Sequence, residues 1–280
     1  MRLFPLLLIA ILSCGKSSVD GDSSGDSAYR ITKTVTYDGV SVDVVIDKPA
    51  KDELDVLLVY HGTVWFDDKI LEAANNALNG FKRILDREDM MIASVVYPEE
   101  NLLIGDNIAH SEAALLWMKN RAENELGITI NKIFLAGHSQ GGYLVTRLNT
   151  MHETHGVVAN APGPLNLIFR CQLEEEGRMP AGIACTSLRN AYGTTASNPD
   201  AYFARSLLNF TDGFLGEILF VQGLDDSPIQ MHSWPVFKQQ IEECTDCREA
   251  HFLDLPGYGH NSLFQSSEAA EAFNQFLMSR

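Results

Sequence analysis

Positive charge is what this chain has least of: 21 Lys and Arg stand against 37 Asp and Glu, a formal charge of −16 over 280 residues. Such a surface repels phosphate backbones and anionic head groups, so nucleic acid is not an expected partner; otherwise the charge describes a solvated face and no chemistry. There is no internal repeat, which sets aside solenoids and propellers. Metal-ligand spacing is missing as well. His152 and His155 stand three apart without an H-E-x-x-H register, and Cys244-Thr-Asp-Cys247 has no second closely spaced pair to complete a site. Neither a metal nor a cofactor is expected. What is plentiful is apolar material, 45% of the chain, enough to bury a sizeable core in one catalytic-sized domain.

The start of the chain reads as an address. Arg2 gives a basic beginning, and the apolar run Leu3 to Leu12 is too short to span a bilayer and stay. Ile11-Leu12-Ser13-Cys14 resembles a bacterial lipobox, which implies that residues 1–13 are removed and that Cys14 carries lipid at the mature N-terminus. Residues 14–28, rich in Gly, Ser and Asp, read as a flexible tether ahead of a domain over 29–280. A simple secretory signal with a disordered leader is the other reading. Both place the protein outside the cytoplasm, as a cell-envelope lipoprotein or a secreted protein, touching a membrane only through an N-terminal anchor. In that oxidising setting Cys171, Cys185, Cys244 and Cys247 form an even set. Sequence nearness favours Cys171 with Cys185 and Cys244 with Cys247, among three possible connectivities.

Alternating residues from Tyr29 to Val45 around Asp38-Gly39 predict a β-hairpin. Val56 to Tyr60 and Met91 to Tyr97 are continuous apolar runs of strands buried on both faces, with a helix over about 69–87 between them. The β-α rhythm continues through a helix at 107–125, strand 133–136, a helix at 142–152 and strand 157–159. Strands at 218–221 and 251–255 and a helix at 267–278 finish the chain. The pattern predicts an α/β fold with a mostly parallel sheet and helices on both faces. About 163–216 interrupts it, and a long aromatic-rich connection in a tight α/β chain reads as a lid or cap.

Gly137-His138-Ser139-Gln140-Gly141 matches the G-x-S-x-G nucleophile elbow and lies between an apolar strand and a helical pattern. A serine hydroxyl is a poor nucleophile unless a base holds it, and a sharp strand-to-helix turn exposes it to one. The helix that starts there points free amides at the reacting centre, so the Gln140 N–H is one candidate oxyanion donor. Thr63 N–H, in His61-Gly62-Thr63 at the end of an earlier central strand, is the second. A carboxylate is expected at a later strand end, where Asp225 and Asp226 are adjacent after Ile218 to Val221. His260, preceded by Gly257 and Gly259 in the loop after the last strand, is the candidate base, its tautomer fixed by that carboxylate. Trp65 and Phe66 are candidate pocket residues, and Phe169, Tyr192, Tyr202 and Phe203 belong either to a pocket or to the core of the lid.

Together these residues resemble the α/β-hydrolase superfamily, from the hairpin near Tyr29 to the final helix. The order Ser139, Asp, His260, each just past a strand, is that superfamily's chain order. Gly223, Asp226 and Ile229 resemble its G-x-x-D-x-x-V stretch, which implies that Asp226 is the acid. The elbow and the Gly259-His260 pair are similar to the carboxylesterase, dienelactone-hydrolase-like and prolyl-oligopeptidase-like branches. His61-Gly62-Thr63 departs from the His-Gly-Gly of many esterases. The resemblance implies acyl transfer to water through a serine ester, with a small-molecule or polymer ester met outside the cytoplasm as substrate. A serine peptidase of prolyl-oligopeptidase-like type and a non-catalytic binding protein on the same fold are the alternatives.

Overall fold

Alternation builds the first two strands. The structure is a computed structural model describing residues 27–97 and 107–280; the expected signal over 1–13, Cys14 and nearly all of the 14–28 tether lie outside them. The hairpin joins β1 (Tyr29–Tyr37) to β2 (Val40–Lys48) through Asp38 and Gly39, both at positive φ (48° and 83°). Two successive left-handed residues make the tight turn that matches strand twist, and Asp-Gly tolerates them at least cost. Tyr37 pairs with Val40 directly across it.

Six further strands follow: β3 (Glu53–Tyr60), β4 (Met91–Val96), β5 (Thr129–His138), β6 (Gly156–Asn160), β7 (Ile218–Gly223) and β8 (Ala250–Leu255). The helices among the described residues are α1 (Ile70–Ile84), α2 (Asn107–Asn120), α3 (Ala122–Leu126), α4 (Gln140–Asn149), α5 (Leu167–Glu175), α6 (Ile183–Tyr192), α7 (Pro199–Phe203), α8 (Pro228–Glu242), α9 (Ser262–Gln265) and α10 (Ser267–Met278). The sheet runs β1-β2-β4-β3-β5-β6-β7-β8. β2 is antiparallel to β1 and β4, and every pair from β4 to β8 is parallel. The chain steps from β3 to β4 on one side and then crosses to β5 on the other, so a crevice opens beyond the carboxyl ends of β3 and β5.

β3 shows why the runs are unbroken. Val56, Leu58 and Tyr60 enter one core with Leu115, Trp117, Leu144 and Phe237, whereas Leu57 and Val59 enter a second with Leu78, Phe81, Phe273 and Phe276. Helices α2, α4 and α8 thus cover one face and α1 and α10 the other. Each such aliphatic side chain, taken fully from water, contributes about 1.5–3 kcal/mol, so the sheet's centre is the rigid part of the molecule.

Two elements differ from expectation. The helix expected over 107–125 is two, because Arg121 leaves helical geometry at φ −132° before α3 begins. Helix α8 has no counterpart in the apolar pattern, and Pro235 inside it removes one backbone donor. Segment 163–216 folds as α5 to α7 and a 3-10 turn at Leu207–Asn209, with a small core of Leu167, Cys171, Cys185, Leu188 and Tyr202. Cys171 is bonded to Cys185 and Cys244 to Cys247, the pairing that nearness favoured. Among the described residues no helix is long and apolar enough to cross a membrane.

Candidate active site

Strand β5 delivers Ser139 to the crevice and α4 leaves from it. The turn holds Ser139 at φ 57°, ψ −118°, a conformation costing a residue with a Cβ about 1–3 kcal/mol. Close packing enforces it. A Cβ on Gly137 would lie 2.1 Å from the Gly141 carbonyl oxygen, and one on Gly141 only 2.0 Å from that of Tyr60, so neither position admits another residue. Ser139 N–H donates to the Asn160 carbonyl at 2.9 Å, and the Ser139 carbonyl accepts from Tyr143 at 3.0 Å and Gly163 at 3.1 Å. Among the described residues no hydrogen bond engages the side chain, while the main chain is tied on both sides.

Gln140 is the first residue of α4, so its N–H has no acceptor within the helix. Gly62, at the end of β3, comes so close that a Cβ there would be 3.4 Å from that of Ser139. Thr63 follows it and lines the same cavities as Ser139 and His260. The two sequence-predicted oxyanion donors therefore belong to segments that converge on the serine.

His260 Nδ1 and Asp226 Oδ2 are 2.7 Å apart. The Asp226 side chain is only 4% exposed, against 41% for His260. Its Oδ2 also accepts from Gln222 Nε2 at 3.1 Å, and its Oδ1 from Ser227 N–H at 2.6 Å. Burial acts to raise the Asp226 carboxyl, but the hydrogen bond and charge of His260, with the Ser227 and Gln222 donors, outweigh it and leave the group below its usual value. Asp225 is exposed, and its backbone N–H bonds Tyr258 instead. Ser139 and His260 share the wall of both cavities at the site; among the described residues no hydrogen bond joins them. Such a contact commonly tightens when substrate binds.

A buried amide that the motifs did not single out links these parts. Asn160, at the end of β6, donates from Nδ2 to His138 Nδ1 at 2.8 Å, and its Oδ1 accepts from Ser262 Oγ at 3.1 Å and Leu263 N–H at 3.3 Å. Since its carbonyl holds Ser139 N–H, one residue ties the elbow to the loop that carries His260. Gln222 plays the matching part at Asp226 and is itself held by Gln230 Nε2 at 3.0 Å. Each closes an apolar strand run with a polar side chain, the one signal available in sequence. Burial drives the His138 imidazole down to about 3, with the nearby His260 in the same direction, so it stays neutral beside the candidate base.

The larger cavity at Ser139 measures about 720 Å³ and lies against α1; the smaller, about 180 Å³, lies against segment 163–216 and includes Asn166, Arg170 and Gln230. Trp65 and Phe66 line an adjoining hollow of about 300 Å³ rather than the serine's own cavity. Tyr202 is in the small core of segment 163–216 with Tyr192 packed against it, and Phe169 stacks on His232. Phe169 and Phe203 line a separate hollow that does not include Ser139.

No protein-family model matches the chain, and no curated protein matches it. Solved structures do. It is similar to Est1E from Butyrivibrio proteoclasticus, with a TM-score of 0.62 at 14% identity over 89% of this chain and 98% of that one. It is also similar to a truncated carbohydrate esterase from gut microbiota, with a TM-score of 0.65 at 15% identity over 92% and 98%. The chain has the α/β-hydrolase fold. An acylaminoacyl peptidase from Pyrococcus horikoshii shares that fold at a TM-score of 0.62 and 12% identity, over 90% of this chain but only 41% of the peptidase. Within the α/β-hydrolase fold the ends of β3, β5, β7 and β8 carry, in turn, Thr63, Ser139, Asp226 and His260.

Proposed function

We propose that the protein is a serine hydrolase that splits carboxylic esters outside the cytoplasm through an acyl-enzyme on Ser139. The observation that carries this reading is the 2.7 Å contact between His260 Nδ1 and the buried Asp226 carboxylate, in a loop lining the same cavity as a serine held at positive φ. Asp226 keeps the His260 proton on Nδ1, which leaves Nε2 as the base.

As Ser139 Oγ attacks the ester carbonyl, His260 takes its proton and the carbonyl oxygen becomes an oxyanion facing the Gln140 and Thr63 amides. Collapse expels the alcohol, which carries away the proton from His260. Water then repeats the attack with His260 as base, releasing the acid and restoring the serine. Arg170, Asn166 and Gln230 of the smaller cavity offer polar groups to one side of the bond.

The esterases of similar fold support an ester over a peptide bond, and the export address read in residues 1–13 supports a substrate met outside the cytoplasm. Fluorophosphonate labelling together with p-nitrophenyl ester hydrolysis tests the reading. The mature domain is expected to be labelled and active, with both lost in Ser139→Ala. A folded wild-type protein that neither labels nor turns over ester defeats it, and cleavage of acyl-peptides in preference to esters moves it to the peptidases.

A further inference from the structure

The oxyanion donor assigned to Thr63 lies on a peptide unit that glycine leaves loose. Gly62 precedes it, and a residue without a Cβ lets the plane between Gly62 and Thr63 turn at small cost. In a trans peptide, as this one is, the carbonyl and the N–H point opposite ways, so whatever fixes the Gly62 carbonyl also sets the direction of Thr63 N–H. The side chain of His61 fixes it, with Nδ1 2.7 Å from the Gly62 carbonyl oxygen. A carbonyl oxygen only accepts, so Nδ1 carries the proton and donates. Among the described residues no other donor reaches that oxygen, and Thr63 N–H has no acceptor.

His61 is held in turn. Its ring stacks on Tyr97, the residue after β4, with centroids 4.0 Å apart and planes 7° from parallel, and the Tyr97 hydroxyl donates to the His61 carbonyl. Both side chains are buried. Burial lowers the His61 ring to about 4, outweighing the opposite pull of the Gly62 carbonyl, so the ring is neutral at neutral pH and Nε2 keeps its lone pair. Among the described residues no donor meets that Nε2. A buried acceptor without a partner is destabilising, and a phenyl ring in the same stack would not incur that penalty, so packing alone does not require histidine here. The bond to Gly62 does.

We infer that His61 is a positioning residue for the oxyanion hole: its Nδ1–H holds the Gly62 carbonyl and thereby aims Thr63 N–H at the carbonyl oxygen of the ester under attack by Ser139. The inference deepens the ester-hydrolase reading and rests on it. As Ser139 Oγ bonds to the carbonyl carbon, the carbonyl electron pair moves to oxygen and the Oγ proton to His260, while the His61 proton stays on Nδ1. His61 acts through the peptide between Gly62 and Thr63, so its contribution belongs to the transition state, where charge gathers on that oxygen, and not to substrate binding.

Two variants separate the donor from the ring. His61→Phe keeps the stack on Tyr97 and loses the donor; His61→Asn loses the ring but carries an amide Nδ2 the same number of bonds from the backbone as Nδ1. On p-nitrophenyl acetate, His61→Phe is expected to lose about ten- to a hundredfold in kcat and kcat/KM alike, somewhat less than deletion of an oxyanion donor, with KM within about twofold. His61→Asn should keep kcat within about threefold of the wild type although its urea midpoint falls with the lost stack. Trifluoroacetone, whose carbonyl oxygen becomes an anion when Ser139 Oγ adds to it, should bind His61→Phe more weakly by the factor lost in kcat/KM. Imidazole nitrogen shifts of the wild type should show the His61 proton on Nδ1, a measurement that needs no variant to fold. Turnover in His61→Phe within about twofold of the wild type, a loss in His61→Asn as large as in His61→Phe, or a His61 proton on Nε2 each overturns the inference and leaves the hydrolase reading standing. A wild type inert to p-nitrophenyl acetate and to fluorophosphonate fails that reading, and the inference with it.

Discussion

Asn160 Nδ2 lies 2.8 Å from His138 Nδ1, and this bond decides which nitrogen of His138 carries its proton. The Asn160 orientation is fixed independently, because its Oδ1 accepts from the Leu263 backbone N–H. The amide must then donate to His138, Nδ1 must accept, and a neutral ring carries its hydrogen on Nε2.

Asn160→Asp reverses that polarity. A carboxylate can only accept, so the His138 proton is expected to move to Nδ1, visible in imidazole nitrogen chemical shifts. Turnover should fall about tenfold, the effect of losing roughly 1.4 kcal/mol of transition-state positioning, with a smaller change in KM. Unchanged shifts would show that the bond does not set the tautomer.

Asp226→Asn replaces an acceptor at His260 Nδ1 by a group that can donate, freeing the ring to turn or to carry its proton on the wrong nitrogen. A loss of about three to four orders of magnitude in kcat is expected, the scale seen when the same change is made in the serine-protease triad. Asp225→Asn, at the exposed neighbour, should change kcat less than twofold. Parallel p-nitrophenyl acetate assays of the two variants compare them directly.

Acid should unfold the protein earlier than its carboxylates alone would. Burial lowers His61 to about 4 and His138 to about 3, from an ordinary 6.5. Below pH 6.5 the unfolded chain therefore binds protons that the folded chain refuses, and stability falls by roughly 1.4 kcal/mol per pH unit for each fully buried ring until the folded values are reached. Asp226 acts lower: its depressed carboxyl contributes stability that is fully present above its ordinary 3.8 and lost as the pH falls through its folded value. Urea midpoints should stay nearly level from pH 7.5 to about 6.5 and decline from there to 4.5, and His138→Gln should reduce that slope by one proton.

The Cys171–Cys185 bond spans 14 residues and lies in the core of segment 163–216. Replacing both cysteines by alanine should cost about 2–4 kcal/mol in stability of the segment that holds the bond. The Cys244–Cys247 bond closes only three residues and should contribute less. Limited proteolysis with and without each pair reads the difference, with cleavage after the first replacement expected between 163 and 216.

The strand-to-helix turn at Ser139, the loop position of His260 and the parallel strands are legible in the sequence because their signals are local: glycines at fixed offsets from Ser139 and His260, and apolar runs ended by polar turns. Choosing between Asp225 and Asp226 requires the turn itself, which a backbone bond from Asp225 to Tyr258 fixes across two loops. Helix α8 is obscured by Pro235, whose penalty is met by tertiary packing of Trp234, Phe237 and Ile241 that no local pattern reports, while Pro228 at its first position suits a helix start. Asn160 and Gln222 are similarly silent, since a polar residue at a strand's end differs from any turn residue only in what it touches. Trp65 and Phe66 are legible as near the site, but their placement in an adjoining hollow depends on where α1 lies.

Gly141 rests so tightly on the Tyr60 carbonyl that the end of β3 and the start of α4 must move as one body. Ser139 is in that sense set on an anvil fused to the centre of the sheet, whereas the walls of the two cavities beside it come in large part from α1 and from segment 163–216, hung outside it. On the proposed reading, recognition can drift, be exchanged or be engineered at those walls without retuning the reaction.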